Sequence, residues 1–142
     1  MPGMQAELVQ GLARLGIFRD YSTAELSDLA GSLETATFPE GQRIIRTGQE
    51  NMSFYVIVEG EAAAFVDDDQ RGIMARGSFF GEVSALLGEP ATADIVTRSP
   101  LLCLVVPASE LEGFFTSNPR VMFRVLQIEA RRLQLADRAS HL

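Results

Sequence analysis

Gly77 and Gly81 bracket the aromatic pair Phe79 and Phe80, and Glu82 follows directly, ahead of the run Val83-Ser84-Ala85-Leu86-Leu87. The pattern predicts a short helical turn over Glu82–Leu87, entered through glycine. A glycine just before a helix start lets backbone N–H groups approach an anion, with the helix dipole in favour. A carboxylate at that entrance is poor company for phosphate. It suits a sugar hydroxyl, which can donate to it; the competing role for Glu82 is that of a helix cap. Ser84 either lines such a site or faces solvent. Downstream, Pro90, Ala91, Thr92 and Ala93 offer one hydroxyl and no charge. Arg76 and Arg98 are the nearest basic residues, and the sequence does not place their side chains. The chemistry on offer is recognition of hydroxyls and an anion.

Other chemistries find little support. His141 is the only histidine and stands next to the last residue, so neither a Ser–His nor a Cys–His arrangement nor a histidine-based metal site can be built. No catalytic residue and no metal ligand is expected, and the chain does not read as an enzyme. Asp67, Asp68 and Asp69 form an acidic hairpin tip without the rest of a calcium-coordinating loop. Cys103, in the apolar run "LLCLVV", reads as a small buried hydrophobe. A net charge of -7 argues against direct contact with nucleic acid, which needs a basic face. No apolar run approaches the roughly 20 residues that span a bilayer, and "MPGMQAELVQ" is not a signal peptide. The expectation is a cytoplasmic protein of one domain spanning residues 1–142, with no membrane partner.

The elements that must position Glu82 follow from periodicity. Leu8, Leu12 and Leu15 predict a helix over 5–15 ended by Gly16. Ser22 with Glu25 makes a capping box opening a second helix, with Leu26, Leu29 and Leu33 on one side. From Thr37 the period changes to strands: "RII", "SFYVIVEG" and "AAAFV", then Ala91–Thr97 and Leu101–Val106, with turns at Gly41, Gly48 and Gly60. Many short strands with turns between them predict an antiparallel roll or barrel. Pro107 ends the last strand, and "ASELEGFF" buries Leu111, Phe114 and Phe115. Asn118 and Pro119 start a longer helix as cap and first-turn residue. On it, Arg124, Gln127, Arg131, Gln134 and Arg138 make a polar stripe. Val121, Val125, Ile128 and Leu135 lie on one side of that stripe, and Phe123, Leu126, Ala130 and Leu133 on the other. An apolar arc this wide predicts packing on the roll and on a partner helix, hence a homodimer through the C-terminal helix.

"FPEGQRIIRTGQENMSFYVIVEGEAAAF" followed by "GSFFGEVSALLGEPATADIVT" resembles the cyclic-nucleotide-binding domain family. That family includes the sensor halves of catabolite-activator-type regulators, kinase regulatory subunits and cyclic-nucleotide-gated channels. The likeness runs from "LARLGIFRDYSTAELSDLA" to "SNPRVMFRVLQIEARRLQ". It implies a mainly β fold, a jelly-roll-like antiparallel β-roll over 37–106, with N-terminal helices over 1–36 and C-terminal helices over 107–142.

The resemblance also implies a site. Its ligand-binding candidates are Phe80, Gly81, Glu82, Val83, Ser84, Ala91, Thr92 and Ala93. In the family the Gly81 and Glu82 positions serve the ribose, and nearby amides serve the cyclic phosphate. An arginine usually follows the proline, where this chain has Ala91. Losing a charge-assisted bond of ~1.5–3 kcal/mol, and more where the remaining partner is left buried, weakens affinity by roughly ten- to several-hundredfold. The implied function is a regulatory ligand-sensing domain that takes cAMP or cGMP, implies no certain cofactor, and signals through the C-terminal helix to an unknown effector protein. The alternative is a degenerate or retuned pocket in a dimerising protein-interaction module. The regulators resembled carry a helix-turn-helix after the long helix, and this chain stops before one fits, so direct nucleic-acid binding is not expected.

Overall fold

Alternating side chains and glycine turns fold the middle of the chain into eight strands, arranged as two four-stranded antiparallel sheets. The computed structural model describes residues 2–140, and side chains for residues 5–138. One sheet has the order β1 (Glu34–Phe38), β8 (Leu101–Val106), β3 (Phe54–Glu59), β6 (Phe79–Phe80). The other has the order β2 (Arg43–Ile45), β7 (Asp94–Thr97), β4 (Ala62–Val66), β5 (Asp69–Met74). Between β4 and β5, Asp67 and Asp68 both take positive φ (51° and 65°), the conformation a tight hairpin turn requires.

The central strands β3 and β8 are apolar on both faces because each face meets a different core. Phe54, Val56, Val58, Leu104 and Val106 point toward the helices, while Ile57, Leu101, Cys103 and Val105 join Ile45, Ala62 and Ile95 between the sheets. The period of two along each strand divides one hydrophobic run between two cores.

The helical layer consists of α1 (Pro2–Ala13), a 3₁₀ turn at Gly16–Phe18, α2 (Thr23–Ser32), α4 (Ala108–Ser117) and α5 (Pro119–Ser140), while α3 (Glu82–Leu87) sits in the roll. The capping box of α2 is formed: the Glu25 N–H donates to Ser22 Oγ at 3.1 Å and the Ser22 N–H to Glu25 Oε1 at 2.9 Å. Leu12, Leu15, Leu26 and Leu29 are buried in the helix-side core, with Leu111, Phe114 and Phe115 of α4. Among the described residues no helix is long and apolar enough to cross a membrane.

Several boundaries differ from expectation. The first strand begins at Glu34, not residue 37, because its whole length pairs with β8, from Glu34 opposite Val105 to Phe38 opposite Leu101. β7 begins at Asp94, not Ala91: the Ala91 backbone is engaged by Gln49 and Gly48 instead. Asn118 and Pro119 do start α5, the Asn118 carbonyl accepting from the Met122 N–H at 3.0 Å, but the Asn118 side chain turns to the neighbouring elements, donating from Nδ2 to Phe114 O at 3.0 Å and accepting from the Tyr21 hydroxyl at 3.0 Å. On α5, Val121 and Val125 are buried and Ile128 is partly buried, but Leu135 is exposed, as are Phe123, Leu126 and Leu133. Arg124, placed in the polar stripe by spacing, is tucked in, donating to Ile17 O (3.1 Å) and Arg19 O (2.6 Å) and pairing with Asp20 at 3.2 Å.

Candidate functional site

β6 carries two phenylalanines that face opposite ways. Phe79 packs on Phe54 in the helix-side core, with ring centres 5.5 Å apart. Phe80 stacks on Tyr55 at 4.9 Å and 10° on the other side. The chain then turns through Gly81 at φ 83°, where a Cβ would lie 2.2 Å from the Ser53 carbonyl oxygen. No other residue fits so close an approach at that φ, and the turn delivers Glu82 as the first residue of α3. Gly88 ends α3 in the left-handed conformation. The Ser84 hydroxyl donates to Pro90 O at 3.1 Å, the Ala91 N–H to Gln49 O at 2.9 Å, and the Gly48 N–H to Ala91 O at 2.7 Å. These three bonds hold 88–93 as a bent rim.

Between α3, this rim and the second sheet lies a cavity of about 230 Å³. Phe80, Gly81, Glu82, Val83, Ser84, Ala91, Thr92 and Ala93 all line it, with Ile45, Met52, Ala64, Met74, Phe79 and Ile95. Ala91 is buried and belongs to the core between the sheets. Arg76 is exposed and Arg98 lies with Glu61 (3.8 Å) and Gln70 (3.0 Å), so neither lines the cavity.

The cation in the lining is Arg132 of α5. Its Nη1 donates to Glu82 Oε1 at 3.1 Å and to Glu129 Oε1 at 2.8 Å, and its guanidinium carbon stands 4.7 Å from the Phe79 ring centre. Glu82 is buried, with 6% of its side chain exposed, and its Oε2 has no hydrogen-bond partner among the described residues. Burial pushes the Glu82 carboxyl up to about 7. Its own backbone amide opposes this, the nearby Glu129 charge adds to it, and Arg132 pulls it back.

Arg132 is not among the site residues expected from the sequence, though the sequence carries a signal for it. It lies seven residues after Val125 and four after Ile128, a charge on the side of α5 that faces inward. Its partner Glu82 is 50 residues away, and only the fold joins them. Of the other residues considered, Cys103 is buried, which pushes its thiol up to about 12. His141 lies outside the described residues. Among those described, no group of three or more His, Cys, Asp or Glu side chains is placed to hold a metal ion.

Two sheets rolled around a cavity, a glycine-entered turn at its mouth and a long helix reaching back to it make a β-roll domain with flanking helices. The cyclic nucleotide-binding domain profile matches residues 35–118, and the chain belongs to that family. It is 27% identical over 125 residues to a cGMP-dependent protein kinase of Eimeria tenella, a match covering 88% of this chain and 12% of the kinase. Its fold is similar to that of the Thermus thermophilus Catabolite Activator Protein (TM-score 0.78, 21% identity, 89% of this chain and 62% of that one). It is also similar to the regulatory subunit of a cAMP-independent protein kinase A from Trypanosoma brucei (TM-score 0.74, 22% identity, 97% and 50%). The chain thus spans less than two thirds of the length of each of these relatives.

Proposed function

We propose that this chain is the ligand-sensing domain of a regulatory protein, taking a cyclic nucleotide, cAMP or cGMP, in the cavity behind Glu82. Occupancy is passed on through the outer half of α5. The observation that carries this reading is the Glu82 carboxylate, buried at the cavity with Oε2 unpartnered among the described residues. A buried acceptor left without a donor costs about 1–3 kcal/mol, and ribose hydroxyls are donors of the right kind. The family to which the chain belongs supports the same ligand class. The eight predicted lining residues are the proposed binding set; the domain acts as one unit, without catalysis, and a cytoplasmic location accords with a signalling ligand of this class.

A second reading, a retuned pocket in a dimerising module, is favoured by Ala91 and by a similarly folded relative named as cAMP-independent. Under either reading, the exposed row Phe123, Leu126 and Leu133 on α5 supports a homodimer through that helix, which light scattering would test. The readings separate by thermal melting with cAMP or cGMP. A ligand present at 100 times its dissociation constant adds about 2.7 kcal/mol and raises the midpoint. Glu82→Ala should abolish the rise. An unchanged midpoint for the wild-type chain in millimolar cAMP and cGMP would leave only the second reading.

A further inference from the structure

Taking the proposed cyclic-nucleotide reading as its basis, we propose that Arg132 is the residue that meets the ligand's phosphate, reaching the cavity from α5 in place of any cation on the rim.

Among the described residues, the charged side chains that line the cavity are Glu82 and Arg132. A phosphate bound there therefore has Arg132 as its available counter-charge, since Arg76 and Arg98 stand outside the lining. The rim supplies none: Ala91 is packed into the apolar core, and the Ser84 hydroxyl donates to Pro90 O. Arg132 has both reach and freedom. Its side chain is 46% exposed, and its two carboxylate bonds both leave from Nη1. A guanidinium has five N–H donors in a planar fork suited to paired phosphate oxygens. Phe79 beneath it provides a flat aromatic face that supports the cation.

Arg132 is shared between Glu82 and Glu129. Ligand entry turns the fork from Glu82 to the phosphate while Glu129, three residues earlier on the same helix, keeps its hold. The exchange frees both oxygens of Glu82 for the ribose hydroxyls. One movement thus completes both halves of the site and ties the outer half of α5 to the ligand itself.

The test is equilibrium titration of the wild-type chain, Arg132→Gln and Arg132→Lys with cAMP and cGMP. Adenosine and guanosine serve as controls that keep base and ribose without the phosphate. Arg132 is half exposed, and a melting curve of each variant checks that it is folded at the titration temperature. The expected result is that Arg132→Gln weakens cyclic nucleotide binding about ten- to a hundredfold and leaves the nucleosides within about twofold, while Arg132→Lys falls between. If Arg132→Gln binds cyclic nucleotides as tightly as the wild type or more so, Arg132 is only a latch on Glu82 and the proposal fails. If cyclic nucleotides and nucleosides weaken equally, Arg132 acts by positioning Glu82, and the proposal fails again. Both outcomes leave the proposed function standing. A wild-type chain that binds neither cyclic nucleotide overturns that function, and the role of Arg132 with it.

Discussion

The two halves of α5 are attached to the molecule in different ways. In the first half, Val121 and Val125 are buried, Arg124 is anchored on two backbone carbonyls of 17–19, and Arg120 pairs with Glu25 and lies over the Tyr21 ring at 4.0 Å. In the second half, Leu133 and Leu135 are exposed, and Arg132 reaches the roll at the cavity, pairing with Glu82 and lying over the Phe79 ring. Burial of apolar side chains holds the first half whatever the state of the cavity. The second half includes a polar contact at the cavity, which under the proposed function a ligand replaces. One helix can therefore serve as structure at one end and as a reporter at the other.

That contrast can be broken from either end, and the effects should fall in a definite order. Val125→Ala removes buried methyl groups and should cost about 2 kcal/mol, lowering the melting midpoint by about 6 °C. Arg124→Ala, which strands the Ile17 and Arg19 carbonyls, should cost about 1–2 kcal/mol by denaturant titration. Glu82→Gln should act with the opposite sign, and only at the higher pH. Because burial raises the Glu82 carboxyl from 4.5 to about 7, the folded chain keeps a proton that the unfolded chain releases between those values. Stability therefore falls as pH rises through this window and levels off above it. Glu82→Gln should be more stable than wild type by about 1 kcal/mol at pH 8, a gain that shrinks toward pH 5; the loss of the Arg132 ion pair limits it. Melting curves at the two pH values check this. Leu133→Ala should change stability by less than about 0.5 kcal/mol at dilute, monomeric concentration, and a larger loss that appears only as concentration rises would mark Leu133 as part of a dimer contact.

How much of this was legible beforehand depended on whether the signal was local. The Ser22–Glu25 capping box, the strands Ala62–Val66 and Leu101–Val106, and the turn Glu82–Leu87 match their expected bounds, because each is set by neighbours in sequence. The start of β1 at Glu34 was not legible, since pairing with β8 determines it. Ala91–Ala93 read as strand because the composition suits one, yet backbone bonds to Gly48 and Gln49 bend the segment into the cavity rim. At the site, the candidate lining residues came from one contiguous stretch and one motif. Arg132 came from a distant helix, where its position on the inward side was the only trace. Its pairing with Glu82 is tertiary.

The central claim is that the cavity reports its occupancy through the outer half of α5. Spin labels at Arg71→Cys and Gln134→Cys span the roll and that outer half, while Arg71→Cys and Met122→Cys span the roll and the anchored half. The native Cys103 is buried, with its thiol pushed up to about 12, and does not compete for the label. With saturating cAMP or cGMP, pulsed electron–electron distance measurement should give a shifted 71–134 distribution and an unchanged 71–122 distribution. A chain that binds the nucleotide with both distributions unchanged would contradict the account.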